Sequence, residues 1–151
     1  MSLMLVFSLA ASYVLGSIPN GLWLGSVLVG TPIAMILCGI FAIVGHSVSI
    51  FMQFRGGKGV ATGLGVILML MPQPTLVVFA VWLAIVAVTR YVSLGSIVAA
   101  ALVPVLAWLW GYETPYILFG VLAALLIIVR HHANIGRLLS GTESKIRAGH
   151  R

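Results

Sequence analysis

The sequence predicts an all-α, polytopic transmembrane helix bundle of about six apolar segments. Three observations carry that reading. Hydrophobic residues make up 62% of the 151 positions and charged residues only 7%, against about 25% charged in an ordinary soluble domain. Mean hydropathy is +1.21, so the charges are too few to solvate a globular surface. The apolar residues also run continuously rather than alternating, which favours helices over a membrane β-barrel. The whole chain, 1–151, is expected to form a single integral membrane domain with a short basic cytoplasmic tail from about residue 130.

The apolar stretches cover roughly 3–29, 33–54, 60–71, 75–89, 93–110 and 116–129. Breaks are expected at Gly30-Thr31-Pro32, Phe54–Gly59, Pro72-Gln73-Pro74, Arg90–Val92 and Gly111–Pro115. Within the first stretch, Gly16-Ser17-Ile18-Pro19-Asn20-Gly21 is expected to kink the chain or bring backbone close to a ligand. No basic region precedes this stretch, so a cleaved signal peptide is not expected. A span needs about 20 apolar residues, and 60–71 is too short to cross alone. It is expected to form a half-helix, with the glycine loop before it dipping below the headgroups. Irregular backbone is tolerated at that depth where it lines protein or a water cavity.

If each stretch crosses once and the tail is cytoplasmic, Arg55, Lys58, Arg90, Arg130, Arg137, Lys145, Arg147 and Arg151 all fall inside. Those are all eight Lys and Arg residues, and only Glu113 lies in an outer loop. The positive-inside rule therefore makes that side cytoplasmic. The same parity places the N-terminus inside.

Composition removes several chemistries. The carboxylates are Glu113 and Glu143, and there is no Asp. Paired-carboxylate catalysis and an aspartate-based Mg²⁺ site are excluded. Cys38 is alone and sits in an apolar run, so it is read as a small core residue without an intrachain disulfide. The net charge of +6 is read as basic loops facing anionic lipid or a phosphorylated substrate, not nucleic acid.

Two segments carry chemistry. In Phe54-Arg55-Gly56-Gly57-Lys58-Gly59-Val60-Ala61-Thr62-Gly63, the glycines allow a tight turn that brings N–H groups near an anion. Lys58 and Arg55 add charge, Thr62 offers a hydroxyl, and a helix starting at Val60 would aim its N-terminus at the same place. This is a phosphate cradle but not a Walker A loop, because Gly59 follows Lys58 and Met52 stands where the first glycine belongs. A basic loop that only sets topology is the alternative.

The second segment runs from Arg130-His131-His132-Ala133-Asn134 to Lys145. On one helix, Arg130, Asn134 and Arg137 would share a face. Gly141 is placed to end that helix, and Glu143 to return and pair with a buried base. The alternative is a basic anchor that stops translocation. His131 and His132 are adjacent and project differently, and no third ligand is evident, so no metal site is expected. His46 is read as an uncharged packing histidine. Ser93 and Ser96, after Arg90-Tyr91, either bond the preceding helical turn or reach a phosphate.

These residues carry a family resemblance. Gly16-Ser17-Ile18-Pro19, the run from Gly45-His46 through Phe54 to Gly63, Thr89-Arg90-Tyr91-Val92-Ser93-Leu94, and Arg130-His131 with Asn134-Ile135, Arg137-Leu138 and Glu143 all fit it. The chain resembles the bacterial acyl-phosphate-dependent glycerol-3-phosphate acyltransferases, the PlsY family, over about 40–147 and again at 5–25. The resemblance implies an inner-membrane enzyme that transfers a fatty acyl group from acyl phosphate to glycerol 3-phosphate among membrane lipids, with lysophosphatidic acid and phosphate as products. It implies no cofactor: no metal, coenzyme A or nucleotide. It assigns substrate phosphate to Gly56, Gly57, Lys58 and Gly59, activity to His131 and Asn134, and a structural role to Glu143. Arg55, Thr62, Ser93 and Arg137 complete the expected phosphate-binding set.

The pattern departs from the family at one place. The resemblance implies a cytoplasmic loop rich in Gly, Ser, Asn and Thr after the first span, then a further span, and residues 22–44 match neither. An impaired relative that binds phosphate or lipid, or assembles with a full-length enzyme, is therefore a second expectation. A small transporter is a third, disfavoured because residues 1–54 carry no acid and no Lys or Arg.

Overall fold

The computed structural model describes residues 3–14, 27, 30–49, 53–54 and 56–146. Gly16–Gly21, Arg55 and nearly all of 15–29 lie outside the described residues, so the expected kink and the expected departure in the first motif region are not placed. The described elements are helical: α1 Leu3–Val14, α2 Pro32–Ser47, α3 Val60–Leu70, α4 Pro72–Thr89, α5 Val92–Leu109, α6 Thr114–Arg130 and α7 His132–Leu139.

Helices α4 and α5 each hold 18 residues, with mean hydropathy 1.8 and 2.2, and are long and apolar enough to cross a membrane. At 1.5 Å per residue each spans about 27 Å, close to a hydrocarbon core. The 17 residues of α6 are followed, after His131, by α7 at a bend of 61°. The expected short segment is present as α3, whose 11 residues rise about 16 Å, roughly half the core thickness.

The expected break at Pro72-Gln73-Pro74 is corrected by the structure. α3 stops at Leu70, Met71 alone separates it from α4, and both prolines sit in the first turn of α4. Proline fits there because first-turn N–H groups have no intrahelical acceptor. Thr31 caps α2 with its side chain, accepting from Ala34 N–H at 3.3 Å. Two glycines end helices as expected. Gly111 follows α5 at φ 69° and Gly141 follows α7 at φ 71°. At each, the next residue donates back to the helix, Tyr112 N–H to Ala107 O and Thr142 N–H to Arg137 O, a pairing only a left-handed residue permits.

Packing is tightest where side chains are small. α5 lies between α4 and α6, α2 packs on α6, α3 touches α2, α4 and α6, and α1 lies on α2. A Cβ on Gly120 would come within 3.2 Å of Pro104 Cα, so glycine lets α6 approach the proline-bearing face of α5. A Cβ on Gly45 would overlap the Tyr13 carbonyl, and the Tyr13 hydroxyl donates to Val48 O at 2.6 Å. Such close approaches are the main source of helix association in lipid, where burying apolar surface between helices gains little. Ile43, Val66, Met71, Phe119 and Cys38 are fully buried, while Leu76, Val88, Leu118 and Leu125 face outward. An apolar exterior around buried Ser93, Ser96, His131 and Asn134 suits a lipid-facing bundle with a polar interior site.

Candidate active site

The polar interior opens at one end of the bundle. Antiparallel packing brings the start of α5, the end of α6 and the start of α3 together there. A cavity of about 230 Å³ is lined by Lys58, Trp82, Ser93, His131, Asn134 and Glu143, with Val60, Val92, Ser96 and Ser144 completing its wall. A second cavity of about 300 Å³ runs between α3, α4 and α5 and is lined by Ala61, Leu64, Ile67, Val78, Phe79, Ala99, Ala100, Val103 and Ile127. Val60, Trp82 and Ser96 line both cavities, so polar and apolar chambers meet at one point.

Glu143 organises the polar chamber. Its Oε1 accepts from Ser93 Oγ at 2.7 Å and from Asn134 Nδ2 at 2.6 Å. Its Oε2 accepts from Arg137 Nε at 2.7 Å. The hydrogen bonds from Ser93, Asn134 and Arg137 outweigh burial and hold its pKa at about 2. The base it meets is half exposed, not buried as expected: the Arg137 side chain is 46% exposed against 7% for Glu143. A strap from Ser140 to Ile146 delivers the carboxylate. Ile146 N–H donates to Arg90 O at 2.9 Å, and Lys145 Nζ lies 5.2 Å from the Tyr91 ring centroid.

His131 stands in the break between α6 and α7, with 2% of its surface exposed. Its Nδ1 lies 2.7 Å from Ile127 O. A carbonyl only accepts, so Nδ1 carries the proton and Nε2 keeps its lone pair. Burial lowers the His131 pKa below 6.5, and the Lys58 charge lowers it further against the opposing pull of the Ile127 carbonyl and Glu143. The ring is therefore a neutral base at pH 7.

The glycine loop sits across from it. Gly57 N–H donates to His46 O at 3.1 Å, and a Cβ on Gly57 would overlap the His46 ring. His46 thus packs, as expected, but packs on the loop. Arg130 Nη2 donates to Gly56 O at 3.1 Å and Gly57 O at 3.3 Å. Gly59 has φ 74° and precedes α3, a conformation that glycine adopts without strain.

Of the expected site residues, Lys58, Ser93, His131, Asn134 and Glu143 come together at the cavity. Gly56 and Gly57 adjoin it through Lys58. Thr62 is buried in α3 and Arg137 holds Glu143 at the rim, and neither lines the cavity. Arg55 lies outside the described residues. The expectation that Arg130 shares a face with Asn134 and Arg137 fails, because the 61° bend falls between them. Sequence reasoning missed Trp82 and Ser144. Trp82 Nε1 donates to Ser96 Oγ at 3.3 Å, and its ring stacks on Phe79 at 6.0 Å between centroids. Within an apolar run, a tryptophan carries no mark of that position.

Comparison with known proteins decides the family. The glycerol-3-phosphate acyltransferase family profile matches residues 26–141. This chain belongs to the glycerol-3-phosphate acyltransferase family. It is 43% identical over 135 residues to a glycerol-3-phosphate acyltransferase of Syntrophomonas wolfei, a match covering 87% of this chain and 69% of the relative. It is 50% identical over 117 residues to glycerol-3-phosphate acyltransferase 2 of Moorella thermoacetica, covering 78% of this chain and 60% of that one. Two crystal structures of PlsY, an integral membrane glycerol 3-phosphate acyltransferase, are similar in fold. The glycerol 3-phosphate form has a TM-score of 0.81 at 27% identity, covering 95% of this chain and 96% of that one. The lysophosphatidic acid form has a TM-score of 0.84 at 28% identity, covering 95% of each. The glycine-lysine loop, Ser93, His131 and Asn134 all lie within the span matched by the glycerol-3-phosphate acyltransferase profile.

Proposed function

We propose that this chain transfers a fatty acyl group from acyl phosphate to glycerol 3-phosphate, releasing lysophosphatidic acid and inorganic phosphate for phospholipid synthesis. One observation carries the reading. A cavity holding Lys58, Ser93, His131 and Asn134 meets a predominantly apolar one at Val60, Trp82 and Ser96. A substrate with a phosphate head and a long acyl tail fits both at once, with its reactive carbonyl at the junction.

An acyl phosphate already carries a good leaving group, so the protein has to orient two anionic substrates and neutralise their charge. Lys58 and the loop Gly56, Gly57 and Gly59 take phosphate, through loop amides other than Gly57 N–H, which His46 O already holds. Arg55 adds charge, and the Thr62 and Arg137 side chains support the loop side and the rim. Oriented by Glu143, Ser93 has its lone pairs left to accept from a glycerol hydroxyl, and Asn134 has its second Nδ2 hydrogen left to donate to a substrate oxygen. The glycerol hydroxyl oxygen attacks the acyl carbonyl carbon. The carbon–oxygen bond to phosphate breaks, and its electron pair leaves with phosphate. The hydroxyl proton passes to Nε2 of the neutral His131. No metal or coenzyme takes part in these steps.

The described cations Lys58, Arg90, Arg130, Arg137 and Lys145 cluster at the cavity end of the helices, while Glu113 lies in the α5–α6 turn at the other end. By the positive-inside rule this end faces the cytoplasm of a bacterial inner membrane.

The test is donor choice. Purified protein in lipid is given glycerol 3-phosphate with either palmitoyl phosphate or palmitoyl coenzyme A. Lysophosphatidic acid and phosphate forming in equal amounts from palmitoyl phosphate alone is the expected result. Product from the coenzyme A thioester, or from neither donor, contradicts the reading.

A further inference from the structure

We infer that Arg130 is a positioning residue that sets the anion-binding face of the glycine loop without touching substrate. The inference rests on the proposed function for its kinetic arm and on the geometry alone for its structural arm.

Arg130 lies 73 and 74 residues from the two carbonyls it contacts, and one nitrogen, Nη2, donates to both Gly56 O and Gly57 O. The peptide bonds are trans among the described residues. In a planar trans peptide the N–H points opposite the C=O. Holding Gly56 O toward Arg130 therefore turns the Gly57 N–H away, where it meets His46 O at 3.1 Å. Holding Gly57 O turns the Lys58 N–H away in the same manner. Two successive carbonyl dipoles are thereby collected on the guanidinium side of the loop. Of the two N–H groups turned to the other side, that of Gly57 is taken by His46 O, and that of Lys58, with no backbone acceptor among the described residues, is left to face an anion. An anion is repelled by carbonyl oxygens and drawn by N–H groups, so the loop's polarity depends on which way these two peptides face.

The surroundings leave little other purpose for the side chain. Arg130 Nε is buried and has no hydrogen-bond partner among the described residues, a cost accepted where the guanidinium is anchored. Arg130 is absent from the lining of the polar cavity. His46 closes the clamp from the other side, since a Cβ on Gly56 would overlap His46 O and one on Gly57 would overlap the His46 ring. The loop is thus a two-glycine strip pinned between the end of α2 and the end of α6. Glycines leave the peptide planes free to rotate, and without the clamp the same strip turns its carbonyls toward the cavity at little cost.

The test compares wild type with Arg130→Gln and Arg130→Lys in two measurements. Steady-state kinetics should show KM for glycerol 3-phosphate rising about tenfold in Arg130→Gln, with kcat changed less than about threefold, because charged hydrogen bonds are lost from the loop and not from the reacting atoms. Arg130→Lys, which keeps one charged donor on a shorter stem, should raise KM about threefold. Amide hydrogen exchange reads the clamp without turnover. The Gly57 amide should exchange at least about tenfold faster in Arg130→Gln than in wild type, with the helical amides of α4 and α5 unchanged. If Arg130→Gln does not fold, Arg130→Lys decides alone through the same two readouts. Unchanged KM and unchanged Gly57 exchange overturn the inference, and so does a fall in kcat with KM constant. Wild type that shows no turnover overturns the acyltransfer reading, and the exchange comparison then tests the clamp separately.

Discussion

Asn134 Nδ2 lies 2.6 Å from Glu143 Oε1, the same oxygen that accepts from Ser93 at 2.7 Å. A carboxylate nine residues downstream on the strap therefore sets the orientation of an amide on α7 and a hydroxyl on α5. Because Glu143 has its second oxygen on Arg137, the carboxylate is fixed at both ends. The polar cavity is in effect assembled on one side chain from the strap.

Replacing that side chain tests the assembly. Glu143→Ala strands three donors, and each charged or buried bond of this kind is worth about 1–3 kcal/mol. The expected result is a lower thermal midpoint together with loss of turnover. Glu143→Gln should be milder, since it keeps one acceptor.

The same carboxylate has a pH signature. Its folded pKa of about 2 lies below the ordinary 4.5. Its contribution is fully present above pH 4.5 and is lost as pH falls toward 2. Wild type should lose stability through that window by more than Glu143→Gln, which has no carboxylate to protonate there. Equal pH dependence of the two unfolding midpoints would contradict this assignment.

His131 gives a separate pH prediction. Burial and Lys58 lower its pKa from 6.5, so the neutral base persists below that value. The acid limb of kcat/KM should fall below pH 6.5, and activity should be flat from there to about pH 8. Lys58→Ala should move that limb upward by removing a repelling charge. His131→Ala should lower kcat by about 10²–10⁴ and abolish the limb.

Trp82 is placed to test the two-chamber proposal. Its indole lines both cavities and is held by Ser96 and by Gly95, where a Cβ would lie 3.0 Å from Trp82 Cδ1. Trp82→Ala should raise KM for palmitoyl phosphate by about tenfold or more, the cost of losing a large buried aromatic contact, with KM for glycerol 3-phosphate little changed. Equal shifts in both constants would place Trp82 outside the acyl path.

Much of the site was legible in the chain because its chemistry is rare there. With two carboxylates in 151 residues, Glu143 next to a basic motif stands out, and so do Lys58 among glycines and His131 with Asn134. Their meeting follows from antiparallel packing of α5 and α6, which the placement of Lys and Arg at alternate breaks and in the tail already implies. Other features were hidden for physical reasons. Arg130 was read on one helical face with Asn134, and a 61° bend at His131 leaves it at the end of α6, bonded to the glycine loop instead. Pro72 and Pro74 look like a break yet open α4, because proline is as well suited to a helix start as to a turn. The apolar cavity is built in part from Leu64, Val78 and Val103, residues indistinguishable in sequence from those on the outer surface.

The central claim is that this cavity performs acyl transfer, and turnover of wild type beside Lys58→Ala tests it most directly. Palmitoyl phosphate and glycerol 3-phosphate are supplied to each protein in the same lipid, and lysophosphatidic acid is measured over time. Sustained product from wild type, lowered at least about a hundredfold in Lys58→Ala by loss of a cation that neutralises substrate phosphate, is the expected result. No product from folded wild type, or equal product from both proteins, would contradict the account.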